Sequence, residues 1–171
     1  MNHVDYTMQA FNNFIQEREL NVYNKTVLDV GCRDKVCKNS LESFGLQWTG
    51  IDPFPACEGV IKAYMEDMSG VPSESYDFIF ACHSFEHCEH PIEALKEMYR
   101  IIKPGGYVFI ATPMPCAHQI LNADPDHIFV LIPMNFVRLM HYTNFREYSS
   151  TIFPGDIEQN HTIVSVGRKP L

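Results

Sequence analysis

At 171 residues and 46% apolar content, the chain favours a single domain, residues 1–171, built around one sizeable core. Its 13 Lys and Arg against 21 Asp and Glu leave a net charge of −8, which opposes loose association with a phosphate backbone or an anionic membrane and disfavours a nucleic-acid substrate. No basic leader precedes an apolar run and no apolar stretch reaches the roughly 18 residues a membrane span needs, so a soluble, cytoplasmic protein is expected. Cys32, Cys37, Cys57, Cys82, Cys88 and Cys116 form no CxxC pair and are read as reduced thiols.

Along the chain, Asp5 to Leu20 places Tyr6, Met8, Phe11, Phe14 and Ile15 at helical spacing, a leading helix within residues 1–21. Thr26-Val27-Leu28-Asp29-Val30-Gly31 then reads as a buried parallel strand running into a turn. The carboxyl end of the first strand in an open α/β sheet is where a cofactor usually sits, which marks Asp29 and Gly31 as cofactor-side residues. Val36 to Phe44 predicts a short helix ended by Gly45, and Gln47 to Ile51 a second strand reaching Asp52-Pro53. Only a few residues separate Asp52 from the strand-like Val60–Met65 run, too few for a crossover helix.

Tyr76 to Ala81 is another buried-strand run, and Pro91 suits the first turn of a helix reaching about Ile102. Lys103-Pro104-Gly105-Gly106 stops that helix, and Tyr107 to Ala111 is the next strand. A long segment carrying His118, Asp124, Asp126 and His127 has the length of a functional loop. Pro133 to Tyr142 predicts a helix, and Phe145–Phe153 with Thr162–Val166 an antiparallel pair. The expected class is α/β, a Rossmann-like doubly wound, mostly parallel sheet with a closing antiparallel hairpin.

The run Tyr76-Asp77-Phe78-Ile79-Phe80-Ala81-Cys82-His83-Ser84-Phe85-Glu86-His87, then Pro91, then Leu95-Lys96-Glu97-Met98-Tyr99-Arg100-Ile101-Ile102-Lys103-Pro104-Gly105-Gly106, resembles the class I S-adenosylmethionine-dependent methyltransferases, and most closely their small type 11 members. The resemblance spans roughly residues 22 to 168. It implies S-adenosyl-L-methionine as cofactor; the acceptor, which the sequence does not identify, is expected to be a small molecule, and the charge balance and lack of an apolar span leave no membrane or nucleic-acid partner expected. By the same likeness Asp29, Gly31 and Cys32 would face the methionine end of the cofactor. Asp52 and Pro53 would meet the ribose, with Asp52 accepting both hydroxyls. Asp67 and Met68 would meet the adenine, with Glu66 competing for the Asp67 role, and Cys82 and His83 would line the methyl-transfer cleft. If the acceptor must lose a proton, His83, His118 or His127 would take it, His83 ranking first.

Two departures stand out. Where the family has three spaced glycines, this chain has Gly31, Arg33 and Lys35, and the helix after Asp52 is missing. The rival reading is therefore a non-catalytic methyltransferase-like binding module whose cofactor loop has decayed. A nicotinamide-dependent reductase is weaker, because no G-x-G-x-x-G follows the first strand. Cys82, His83, His87, Cys88 and His90 are metal-ligand types, but the family pattern explains Glu86-His87 and no second ligand pair follows at finger spacing, so no metal is expected.

Overall fold

The computed structural model describes residues 3–114, 127–128, 131–154 and 161–171. Seven strands make one sheet: β1 (Thr26–Val30), β2 (Gln47–Asp52), β3 (Val60–Lys62), β4 (Tyr76–Cys82), β5 (Ile102–Pro113), β6 (Arg146–Phe153) and β7 (Thr162–Arg168). They lie in the order β3-β2-β1-β4-β5-β7-β6. All neighbours from β3 to β5 pair in parallel, and β7 alone runs against both β5 and β6. The helices are α1 (His3–Glu17), α2 (Lys38–Ser43), α3 (Pro91–Ile101) and α4 (Pro133–Tyr142), with a 3-10 turn at Phe85–His87.

Central parallel strands must be apolar on both faces, and β1, β4 and β5 are. On one face Leu28, Ile79, Val108 and Ile110 pack under Leu95 and Met98 of α3 and Phe136 and Met140 of α4. On the other, Val27, Phe78, Phe80 and Phe109 meet Phe11 and Phe14 of α1 and Leu41 of α2. Phe80 and Phe109 lie nearly parallel, 5.6 Å apart, and Phe11 meets each edge-on at 5.3 and 5.0 Å. Such pairs add to the burial itself. The leading helix is thus a layer of the core.

Two expectations change. The run expected over Val60–Met65 is a strand only to Lys62, its last ladder bond running from Ala63 N–H to the Asp52 carbonyl at 3.2 Å where β2 ends. β3 pairs parallel to β2 across a helix-free connection, residues 53–59, which suffices because β3 is so short. The Lys103–Gly106 tetrapeptide does end α3, but β5 absorbs it as an irregular start. Gly106 permits this, since a Cβ there would sit 2.7 Å from the Asp77 carbonyl oxygen.

Candidate functional site

The strand order reverses between β1 and β4, and the loops leaving their carboxyl ends surround a cavity of about 730 Å³, within the usual ligand-pocket range. Gly31, Arg33, Asp52, Pro53, Asp67 and His83 all line it. Gly31 has φ +76°, and a Cβ on it would come within 2.3 Å of Ser84 Cβ, so this position admits only glycine. Ser84 is fixed there by its hydroxyl, which donates to the Val30 carbonyl at 2.7 Å.

The two departures from the glycine pattern keep the glycine backbone. Arg33 has φ +44° and Lys35 φ +62°, the left-handed region that costs a side-chain-bearing residue about 1–2 kcal/mol. Arg33 N–H donates to Asp52 Oδ2 at 2.9 Å, and Phe54 N–H to Asp52 Oδ1 at 2.7 Å. Asp52 at the end of β2 therefore ties the first loop to the second. Lys35 Nζ donates to the Glu58 carbonyl, which turns this ammonium toward the β2–β3 connection. Among the described residues, Arg33 is the Lys or Arg side chain at the cavity wall.

The remaining sequence-expected residues fall around this frame. Asp29 is 2% exposed, does not line the cavity, and accepts a bond from the Trp48 indole N–H at 3.0 Å. Burial pushes its carboxyl up to about 7, opposed by the Trp48 bond and helped by the nearby Asp52 charge. Cys32 is buried behind the loop, where burial and the same two acids push its thiol up to about 12. Met68 is wholly buried and its N–H is already given to Glu97 Oε2 at 3.0 Å. Cys82 packs with the aromatic layer on the α1 side. Asp67 and Glu66 both line the cavity; Asp67 Oδ1 accepts from Ser69 N–H, and Glu66 Oε1 from the Glu89 and His90 amides. His118 lies outside the described residues.

His83, at φ +49°, is held by its N–H bond to the Ala111 carbonyl at 2.8 Å. Burial, reinforced by His3, His127 and His87, lowers its pKa to about 3, so its ring is neutral at physiological pH. Its Nε2 has no hydrogen-bond partner among the described residues. Beside it Glu86 is 4% exposed, and burial pushes its carboxyl up to about 8. His127 stands across the 3-10 turn, its ring 4.9 Å from that of His87. Sequence reasoning missed Phe54 and Tyr64, two exposed aromatics whose rings meet edge-on at 6.0 Å on the cavity wall. For Phe54 the available signal was its place between Pro53 and Pro55, directly after the strand-ending Asp52.

Over residues 2–150 the sequence matches the methyltransferase domain family. The chain belongs to that family. Among curated relatives of this methyltransferase-domain chain is the ubiquinone biosynthesis O-methyltransferase of Pseudomonas savastanoi pv. phaseolicola, 31% identical over 137 residues. That alignment covers 71% of this chain and 59% of the relative, so the chain spans well under two thirds of that protein's length. In structure it is similar to a SAM-dependent methyltransferase from Archaeoglobus fulgidus, with a TM-score of 0.75, 18% identity, and coverage of 95% and 94% of the two chains. It is also similar to the Burkholderia thailandensis 1,6-didemethyltoxoflavin-N1-methyltransferase with bound S-adenosylhomocysteine, at TM-score 0.74, 14% identity, and 96% and 79% coverage. The five described cysteines are free thiols, and no helix among the described residues is long and apolar enough to cross a membrane.

Proposed function

We propose that this chain transfers a methyl group from S-adenosylmethionine to a small-molecule acceptor, with the cofactor in the cavity at the carboxyl ends of β1, β2 and β4. The observation that carries the reading is Asp52: it ends β2 on the wall of the cavity that the Gly31 turn also lines, in a methyltransferase-family chain. Each of its oxygens accepts one backbone amide and keeps a second lone pair for a ribose hydroxyl. Gly31 would let the methionine portion approach the backbone, and Arg33 would pair with its carboxylate. Phe54 and Tyr64 would flank the adenine, with Asp67 or Glu66 accepting from its amino group. Asp29, Cys32, Met68 and Cys82 would then support the pocket from behind rather than touch the cofactor.

Transfer is an in-line displacement at the sulfonium methyl, driven by positioning and exclusion of water. The likeness to O-methyltransferases favours an oxygen acceptor, whose proton would pass to His83, His118 or His127. The net charge of −8 and the free thiols fit a small-molecule enzyme of the reducing cytosol. Arg33 at the cavity wall also favours the rival, a binding module with a retired cofactor loop. Calorimetry with S-adenosylmethionine and S-adenosylhomocysteine decides: binding in the micromolar range is expected, and no heat with no thermal shift at millimolar ligand would overturn the assignment.

A further inference from the structure

We infer that Glu86, His87 and His127 form a binding site for one divalent transition-metal ion, zinc being the best match, on the wall of the acceptor cleft. Spacing along the chain hid this site, because its third donor comes from a distant part of the sequence. One donor atom from each of the three side chains lies within 4.8 Å of the others. A tetrahedral ion bound at about 2.1 Å asks for donors about 3.4 Å apart, so side-chain rotations of roughly an ångström would close the set. Two imidazoles and a carboxylate are a donor set that zinc accepts while keeping a fourth position open.

Two observations independent of that proximity support the site. Glu86 is 4% exposed, yet its Oε2 has no hydrogen-bond partner among the described residues, a costly arrangement that an ion would relieve. The backbone itself holds the His127 segment in place, since Ile128 N–H donates to the Glu86 carbonyl at 3.1 Å. Behind the trio, His83 Nδ1 stands 3.8 Å from Glu86 Oε1, where it would orient the carboxylate as outer partners of metal ligands do. His87 and His83 line the same cavity as Gly31 and Asp52, so an ion here would face the acceptor.

What the ion would do rests on the methyltransferase reading. It would bind the acceptor hydroxyl at its open position and lower that group's pKa. The hydroxyl proton would leave to solvent or His83, the oxygen's electron pair would form the new C–O bond, and the S–CH3 bond would break with its pair retained by sulfur. The site itself is tested without activity. The full chain, stripped with chelator, is titrated with zinc chloride by calorimetry and with cobalt chloride by visible absorption. One equivalent per chain is expected, with affinity falling at least tenfold in His87→Ala and in His127→Ala and unchanged in His141→Ala. His87 is exposed and His127 partly so, and thermal melts verify that both variants fold. No binding at 100-micromolar metal (about −5.5 kcal/mol), or binding that ignores both histidine changes, would overturn the site. Calorimetry of the stripped protein with S-adenosylhomocysteine, run separately, reports on the methyltransferase reading alone.

Discussion

Arg33 and Lys35 hold left-handed φ values of +44° and +62°, so replacing them with glycine tests the loop without asking the backbone to move. Each change removes about 1–2 kcal/mol of strain, and the extra freedom of the unfolded chain takes back about 0.4–1 kcal/mol. Arg33→Gly keeps the bond to Asp52, whose donor is the backbone N–H, so its stability should be unchanged or higher by up to about 1.6 kcal/mol. Lys35→Gly also loses the bond to the Glu58 carbonyl, worth about 0.5–1.5 kcal/mol at most in so exposed a place, and should come out near neutral. Affinity then isolates the guanidinium. If Arg33 pairs with the cofactor carboxylate, Arg33→Gly weakens binding of S-adenosylhomocysteine by about 1.5–3 kcal/mol, or roughly ten- to a hundredfold. Urea melts and calorimetry on wild type, both single variants and Arg33→Ala separate strain from contact, since alanine retains the strain and loses the charge. A folded Arg33→Gly, Lys35→Gly double variant that binds more than about tenfold tighter would refute the enzyme reading in favour of a retired site.

Gly31→Ala places a Cβ 2.3 Å from Ser84 Cβ at a left-handed φ and should cost about 2–5 kcal/mol in denaturant melts, with cofactor binding lost alongside. Asp29, raised from 3.8 to about 7, holds its proton more tightly folded than unfolded, so stability should fall as pH rises between about 4 and 7, by on the order of 4 kcal/mol. Melts across that window should show a shallower pH dependence in Asp29→Asn, and an identical slope in both proteins would contradict the burial argument. Phe11→Ala empties the joint between α1 and the β4–β5 aromatic pair and should cost about 3–5 kcal/mol by urea unfolding. Asp77→Asn weakens bonds accepted from Thr26 N–H, Thr26 Oγ1–H and Lys103 Nζ at 2.8–3.0 Å, and a loss of about 1.5–3 kcal/mol is expected in the same assay.

Most of the sheet was legible because its signals are local. Short apolar runs such as Phe78-Ile79-Phe80-Ala81, bounded by turn residues, read as strands buried on both faces, and Pro91 and Pro133 each open a helix where proline costs no hydrogen bond. The early end of β3 was not legible, because it is set by the partner strand: β2 ends at Asp52, and Pro53 beyond it has no N–H to extend the ladder. The site divided the same way. Gly31 and Asp52 sit at strand ends, where topology alone puts them near a cofactor. Asp29 is adjacent in sequence but faces Trp48 instead of the cavity, and alternation along a strand buried on both faces does not reveal which side is open. His127 and Glu86 meet only because the chain returns across the 3-10 turn.

Strain at the site is held in place by the bonds that shape it. Arg33, Lys35 and His83, all at positive φ, each use the backbone N–H in a bond of 2.8–2.9 Å: Arg33 to Asp52 Oδ2, Lys35 to the Cys32 carbonyl, His83 to the Ala111 carbonyl. Such conformations persist only where the surroundings over-determine them. Asp52 is the member of this set that a ligand would also touch. A ribose hydroxyl on its second lone pairs would share the carboxylate with the amide of Arg33, so cofactor binding and the loop's conformation would be coupled through one side chain. Glycine at position 33 would remove the strain and leave the amide in place, which uncouples the two. Removing the carboxylate in Asp52→Ala would instead free the loop and the ribose subsite together, so that affinity should fall and the local protection of the 31–35 amides against hydrogen exchange should fall with it. Loss of affinity with unchanged protection would show that other contacts hold the loop.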